Sequence, residues 1–196
     1  MNLVFFDINP EICREFEAHF GELPNVRIEN KRLVELDGYE CIVSPANSYG
    51  MMDGGLDKHI IEMFGVELMD TVQKYIIDNF AGEQPVGTSF VIPTNNKSHP
   101  YLAHTPTMRF PRSIVGTDNV YQSMKAMLIA INKFNQSQHR IDTVACSGLG
   151  TTTGRMNPLI AVKQMRLAYD HVLNVPKYID WNFVNSRVDE IATLLK

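Results

Sequence analysis

The chain has 196 residues, of which 44% are hydrophobic and 20% are charged, and its formal net charge is −4. This length suits one globular domain with a sizeable core. The acidic balance argues against binding of long nucleic acids, because proteins that follow a phosphate backbone usually carry a basic surplus or stripe. No apolar run reaches the roughly 18 residues that span a membrane, and the first residues lack the basic start of a signal peptide. We therefore expect a cytoplasmic protein without a membrane partner.

Short apolar runs alternate with helical patterns along the chain. Strands are predicted at residues 3–6, 26–28, 41–43, 89–92, 101–103, 143–146 and 178–184. Helices are predicted to begin at Pro10, at Leu56, after Gly65, at Thr117 and at Asn157, with a last helix over residues 188–195. This alternation indicates a single three-layer α/β/α domain, residues 1–196, with a mixed, mostly parallel central sheet. Such folds bind ligands in the loops beyond the carboxyl ends of their strands.

The cysteines and histidines give little sign of a metal or redox site. Cys13, Cys41 and Cys146 form no CxxC pair, so buried reduced thiols are the simpler interpretation. The six histidines show no spacing typical of metal ligands. We expect neither a metal nor a cofactor.

The first of two glycine-bearing loops runs from Ser44 to Asp57. It leaves a buried strand and enters a helix through the pair Gly54-Gly55, where a ligand can approach the backbone closely. Free amides and the positive end of the helix dipole favour an anion at such a position. Asp57 lies in the first helical turn, where the dipole alone also accounts for an acid.

The second loop, residues 147–154, also follows a predicted buried strand. Its three glycines and four hydroxyl side chains are suited to cradling phosphates. The spacing is neither that of a P-loop nor that of a dinucleotide fingerprint. Either loop alone could be a tight connection, but two of them in one small domain favour a ligand site.

Both loops carry a resemblance to the macro domain family. Ser-Pro-Ala-Asn-Ser at 44–48 and Met-Asp-Gly-Gly-Leu-Asp at 52–57 resemble its first ligand loop, which reads Asn-Ala-Ala-Asn, a short spacer, a glycine run and Val-Asp. Residues 147–154 resemble its second loop, Gly-Thr-Gly-Ile-Phe/Tyr-Gly, with one extra residue. The resemblance covers most of residues 25–174, with 1–24 and 175–196 as flanking elements of the same domain. It is closest to a bacterial and phage subgroup with the Ser-Pro-Ala-Asn variant.

The resemblance implies that the protein binds ADP-ribose or an ADP-ribosylated substrate. It further implies metal-independent hydrolysis at the C1 substituent of the terminal ribose, with O-acetyl-ADP-ribose, an ADP-ribosyl ester or ADP-ribose 1″-phosphate as substrate. A non-catalytic module that reads ADP-ribose or a related nucleotide is the alternative, and a structural role in a phage particle rests on the subgroup alone. Neither the resemblance nor the composition predicts an oligomeric state.

Carried over by position, the resemblance assigns roles to individual residues. Asn47 would contact the terminal ribose, and Asp57 would orient or deprotonate the attacking water, so these two are the predicted catalytic residues. The predicted ligand contacts are Ser44, Ala46, Asn47, Gly54, Gly55, Ser147, Gly148, Leu149, Gly150, Thr151, Thr152, Thr153 and Gly154.

The chain departs from the family pattern at several positions. Ser44 replaces the first asparagine, and residues 51–53 interrupt the glycine run, which predicts a narrower and more charged distal pocket. Asp53 would repel a terminal phosphate, which counts against the 1″-phosphate as substrate. Arg32 falls where the family has an adenine-reading acid, and Asp7 is a candidate substitute, against the simpler interpretation of a solvated turn acid.

His104 and Arg109 border a third loop that is able to approach the cleft. A phosphate contact or an acid role is open to either residue, but a strand-end histidine and a surface arginine are the simpler interpretations.

Overall fold

The computed structural model describes residues 1–137 and 141–195. In this part of the chain, six strands form one sheet in the order β2-β1-β6-β3-β5-β4. Neighbouring strands run parallel except for β4 and β5, which pair antiparallel. The strands are β1 (Asn2–Phe6), β2 (Val26–Glu29), β3 (Cys41–Ser44), β4 (Phe90–Pro93), β5 (Tyr101–His104) and β6 (Thr143–Ser147).

Helices cover both faces of this sheet. They are α1 (Pro10–Phe20), α2 (Gly55–Phe64), α3 (Glu67–Phe80), α4 (Asn119–Ser137), α5 (Pro158–Leu173) and α6 (Trp181–Leu194), with a 3₁₀ turn at Leu33–Glu35. Buried side chains of α1, α4 and α5 form one hydrophobic core against the sheet, and those of α2, α3 and the 3₁₀ turn form a second. Successive residues of a strand serve opposite faces, as Ile42 and Val43 of β3 do. The predicted three-layer fold with a mixed, mostly parallel sheet is confirmed.

Two helices begin as the sequence predicts, at an asparagine followed by a proline. The Asn9 side chain accepts a hydrogen bond from the Glu11 amide at 2.9 Å, and the Asn157 side chain accepts one from the Leu159 amide at 3.0 Å. Proline at the first helical position loses no hydrogen bond, because that amide has no partner within the helix.

The strand predicted at residues 178–184 is wrong. Asp180 caps α6 by accepting a hydrogen bond from the Phe183 amide at 2.8 Å, so the helix begins at Trp181. An N-cap and a first helical turn therefore occupy this segment, although its apolar residues alternate as in a strand. The predicted helix over 188–195 is the second half of α6.

Two further predictions concern the cysteines and the membrane. Cys13, Cys41 and Cys146 are buried free thiols, and burial raises the pKa of each. Across residues 1–137 and 141–195, no helix combines the length and apolar character required to cross a bilayer.

The parallel strands place one set of loops at a common edge. Because β1, β3, β5 and β6 all run in the same direction, the segments after Phe6, Ser44, His104 and Ser147 leave the sheet on one side. The two glycine-bearing loops follow β3 and β6, which are neighbours in the sheet.

Candidate functional site

A cleft opens at this edge of the sheet, between the loop after β3 and the loop after β6. Its empty space, including space open to solvent, is about 640 Å³. Residues 107–111, which follow β5, contribute a third wall. The lining residues are Pro45, Ala46, Asn47, Met51, Asp53, Gly54, Gly55, Leu56, Asp57, Thr107, Met108, Pro111, Ser147, Gly148, Gly150, Thr152, Thr153 and Gly154.

The Asn47 side chain holds the first loop in shape. Its Oδ1 accepts hydrogen bonds from the amides of Tyr49, at 3.1 Å, and Met51, at 3.4 Å, while its Nδ2 donates to the Met51 carbonyl at 3.0 Å. The Ser48 amide donates to the Met108 carbonyl at 3.1 Å, which ties this loop to the wall that follows β5. Asn47 therefore has a structural role in the loop besides any contact with a ligand.

The amino end of α2 faces the cleft with nothing covering its backbone. Gly54 caps the helix without a side-chain hydrogen bond, and a Cβ atom built on Gly54 or Gly55 would meet no atom within 4 Å. Gly55 adopts φ 57°, a left-handed conformation that glycine adopts without strain. The first amides of a helix lack partners within it, so this end offers hydrogen-bond donors and positive potential to an anion.

The glycines of the second loop are packed closely. A Cβ atom on Gly148 would lie 2.8 Å from Ile12, and one on Gly150 would lie 2.7 Å from Ile114. Gly154 is crowded by the Gly150 carbonyl and by Ile114. The fold itself requires these three glycines, whereas Gly54 leaves room for a side chain.

Asp57 lies at the floor of the cleft and is 6% exposed. Its Oδ1 accepts a hydrogen bond of 2.5 Å from the Ser44 hydroxyl, at the end of β3. Burial raises the pKa of this carboxyl from 3.8 to about 7, and the hydrogen bonds from Ser44 and from the Asp57 amide oppose the rise. A carboxyl with a pKa near neutrality is suited to general acid–base chemistry.

This burial predicts that the free energy of unfolding falls as the pH rises from about 4 to about 7. In that interval folded Asp57 keeps a proton that the unfolded chain, with its ordinary pKa of 3.8, has lost. The folded state then binds more protons, so one such group lowers stability by up to about 1.4 kcal/mol per pH unit. Urea unfolding across this pH range should show that Asp57→Asn removes this part of the decline and is more stable than the wild type at pH about 8.

Asp53→Asn is the matched control for that measurement, because Asp53 is an exposed carboxylate of the same cleft. The decline in stability should persist in this variant. If the free energy of unfolding depends on pH in the same way in the wild type and in Asp57→Asn, the raised pKa of Asp57 is contradicted.

The structure brings most of the predicted site residues to the cleft, but not all of them. Those that line it are Ala46, Asn47, Gly54, Gly55, Asp57, Ser147, Gly148, Gly150, Thr152, Thr153 and Gly154. Ser44 and Leu149 are fully buried behind the cleft, and the Thr151 hydroxyl donates to the Gly148 carbonyl at 2.8 Å. Sequence reasoning did not assign contacts to Pro45, Met51, Leu56, Thr107, Met108 or Pro111. The signal for the last three is their position after the predicted strand at 101–103.

His104 and Arg109 lie outside the cleft lining. His104 is fully buried, its Nδ1 is 2.5 Å from Gln84 Oε1, and burial lowers its pKa to about 3. Since an amide oxygen only accepts, Nδ1 carries the proton and Nε2 is bare; within the described residues this Nε2 atom has no hydrogen-bond partner. The Arg109 guanidinium pairs with Glu83 at 2.6 Å on the surface.

Asp7 and Arg32, the two residues considered for the position of the adenine-reading acid, lie in different surroundings. Asp7 follows β1, where its Oδ1 accepts from the Asn9 amide at 2.9 Å and its Oδ2 from the Gly148 amide at 3.4 Å. Asp7 is thus half-buried and bonded to the second loop rather than being a freely solvated acid. Arg32 forms an exposed ion pair with Glu35 at 3.0 Å. In residues 1–137 and 141–195, no group of three or more His, Cys, Asp or Glu side chains is placed to hold a metal ion.

Comparison with known proteins assigns the family. The family model described as Macro domain matches residues 43–165, which include both glycine-bearing loops and span more than half of the chain. The chain belongs to the macro domain family. An uncharacterized protein of Aquifex aeolicus is 27% identical over 142 residues, which cover 72% of this chain and 78% of that protein.

Solved macrodomains share this fold. The macrodomain of Mycobacterium tuberculosis DarG is similar with a TM-score of 0.59 and 21% identity, over 74% of this chain and 90% of that one. The macrodomain of Thermus aquaticus DarG is similar with a TM-score of 0.57 and 20% identity, over 72% of this chain and 87% of that one. The Trypanosoma brucei macrodomain in complex with ADP-ribose is similar with a TM-score of 0.51 and 15% identity, over 67% of this chain and 52% of that one.

Proposed function

We propose that this macro domain binds ADP-ribose in the cleft and hydrolyses a derivative at C1 of the terminal ribose. The observation that carries the proposal is the placement of Asp57, a buried carboxyl with a pKa of about 7, beside the uncovered amino end of α2. One element thus supplies both anion-binding amides and a proton acceptor. A relative in the family, the Trypanosoma brucei macrodomain, has been solved in complex with ADP-ribose.

The diphosphate is assigned to the backbone amides. The cleft walls contain no lysine or arginine among their described residues, and the carboxylates of Asp53 and Asp57 face it. An anion therefore has to be held by neutral donors, and backbone amides of Gly54, Gly55 and the loop over residues 149–154 are assigned to this role. The net charge of −4 does not oppose this, because binding depends on the local donors.

Asp57 is assigned as the general base. In this step a water oxygen attacks C1″, the bond from C1″ to the leaving oxygen breaks, and its electron pair leaves with that oxygen. The proton of the water passes to the Asp57 carboxylate and then to solvent. For an ester substrate the leaving group is a carboxylate, which departs without needing a proton from the protein.

The test measures binding and turnover separately. Calorimetric titration with ADP-ribose should give saturable one-to-one binding, and a protein ADP-ribosylated through an ester on a carboxylate side chain should be hydrolysed faster than in buffer. Absence of binding at millimolar ligand would contradict the whole proposal. Binding with turnover at the buffer rate would leave a reader of ADP-ribose, which is the second candidate function.

Asp53 is expected to select against a terminal phosphate. It is exposed at the cleft, so its repulsion is screened and is expected to be about 0.5–1 kcal/mol. Asp53→Asn should therefore improve binding of ADP-ribose 1″-phosphate about two- to five-fold relative to ADP-ribose, and the gain should shrink at high salt.

The control for this measurement is Asp189→Asn, which removes an exposed carboxylate on α6. It should leave the ratio of the two dissociation constants unchanged. If Asp53→Asn leaves the ratio of the two dissociation constants unchanged at low salt, Asp53 does not select against the terminal phosphate.

A further inference from the structure

Ser44 contacts Asp57 from behind the cleft. It is the last residue of β3, it is fully buried, and its hydroxyl donates to Asp57 Oδ1 at 2.5 Å. Asp57 itself lines the cleft, whereas Ser44 does not. A hydroxyl that reaches the base from the protein side leaves the opposite side of the carboxyl free for a ligand.

We propose that Ser44 is a positioning residue for the hydrolysis proposed above: its hydroxyl fixes the Asp57 carboxyl in one orientation and stabilises the ionised form that accepts the proton of water. In the described part of the chain, Ser44 is the one side chain that hydrogen-bonds to Asp57. An ionised carboxylate can only accept hydrogen bonds, so the single hydroxyl proton of Ser44 points toward it. Such charge-assisted bonds are short and roughly twice as strong as neutral ones.

Among the residues that the structure describes, no cation performs this role in place of Ser44. His104 is the register partner of Ser44 on β5, so both side chains point to the same face of the sheet, but His104 is neutral because burial lowers its pKa to about 3. The causes of the raised pKa of Asp57 are burial, the Ser44 hydroxyl and its own amide, and none of these is a charge. The other charged or titratable side chains on α2 and on the elements packed against it do not supply a buried charge. Asp53 in the preceding loop, Lys58, His59 and Glu62 on α2, and the Arg32–Glu35 pair of the 3₁₀ turn are exposed, as are Glu67, Asp70, Lys74 and Asp78 on α3. Tyr75 on α3 is half-buried, and Cys41 on β3 is a buried thiol.

A hydroxyl also suits the two protonation states that a general base visits. When Asp57 is ionised, Ser44 donates to it; when Asp57 has taken a proton, the serine oxygen is able to accept that proton in a hydrogen bond. A fixed cation at the same place would stabilise only the ionised state. The hydroxyl therefore holds the carboxyl throughout the proton transfer.

The first test uses the ligand-free protein, so that its failure is distinct from failure of the proposed hydrolysis. In ¹³C NMR titration, Ser44→Ala should raise the midpoint of Asp57 by about one pH unit or more, because the ionised carboxyl loses the hydrogen bond that stabilises it. Ser44→Thr keeps the hydroxyl and should restore the midpoint. Ser123→Ala is the matched control, since Ser123 is also fully buried and donates to one backbone carbonyl, that of Pro106, at 3.0 Å.

The second test uses turnover. Ser44→Ala should lower kcat at pH about 7 by roughly ten-fold and shift the pH profile to higher values, so that part of the loss is recovered at pH about 9, while KM changes less than about two-fold. A midpoint of Asp57 unchanged in Ser44→Ala, or a fall in kcat that is the same at every pH, would overturn the proposal. A purely structural role would lower stability without moving either the midpoint or the profile.

Discussion

Replacing Asp57 by asparagine is expected to lower kcat by about 10²–10⁴-fold and to leave the dissociation constant of ADP-ribose within a few-fold of the wild type. Asparagine has nearly the same shape and still accepts a hydrogen bond from Ser44, so the floor of the cleft is preserved. The amide does not take a proton from water, so the loss falls on the chemical step rather than on binding. Single-turnover hydrolysis and calorimetric titration measure the two effects separately.

The pH dependence gives this prediction a second readout. Because Asp57 has to be ionised to act as a base, kcat of the wild type should rise through pH about 7 and then level off. The residual rate of Asp57→Asn should lack this step. Asp53→Asn, which removes the exposed carboxylate of the same cleft, should keep both the step and most of the rate. Full activity in Asp57→Asn would exclude Asp57 as the general base.

Replacing Gly54 by valine is expected to weaken ADP-ribose binding by about 100-fold or more and to lower stability by no more than about 1 kcal/mol. Gly54 has φ −144° and ψ 163°, an extended conformation that valine adopts readily. Its Cβ would meet no protein atom within 4 Å, so the added side chain projects into open space at the mouth of α2. That space is where the diphosphate is proposed to approach the helix amides.

A second substitution at Gly54 and one at Gly148 distinguish a blocked ligand site from a loss of packing. Gly54→Ser should weaken binding less than Gly54→Val, because serine is small and is a favourable helix N-cap. Gly148→Ala should instead lower stability and binding together, since its Cβ would lie 2.8 Å from Ile12 in the core. Calorimetric titration and thermal unfolding of the three variants measure both quantities. Wild-type affinity in Gly54→Val would place the ligand elsewhere.

The position of the cleft could be predicted from the sequence, since it depends on local patterns. Gly54-Gly55 and the loop over 147–154 both follow apolar strands, and the parallel sheet brings the carboxyl ends of those strands to one edge. The environment of each side chain could not be predicted in the same way. Ser44 was expected to contact the ligand, but the alternation of β3 turns it into the core behind Asp57. Burial of Asp57, and hence its pKa, depends on packing that no motif records.

The glycines illustrate the same limit. In sequence, Gly54, Gly148 and Gly150 all read as places where a ligand approaches the backbone. Gly148 and Gly150 are crowded by Ile12 and Ile114, residues of α1 and of the segment before α4, so the core alone requires them. Only the three-dimensional structure separates glycines needed for packing from those that leave open space for a ligand.

The most direct test of the account is an NMR titration of the ¹⁵N-labelled protein with ADP-ribose. The largest amide shift changes should fall on Gly54 and Gly55 at the start of α2 and on Gly148 and Gly150 in the second loop, and they should saturate together. Glycine amides resonate in a separate region of the spectrum, which makes these four positions readily followed. Saturable changes elsewhere, such as in the groove that α5 forms with α1 and α6 around Lys163 and His19, with none at the four glycines, would contradict the proposed site.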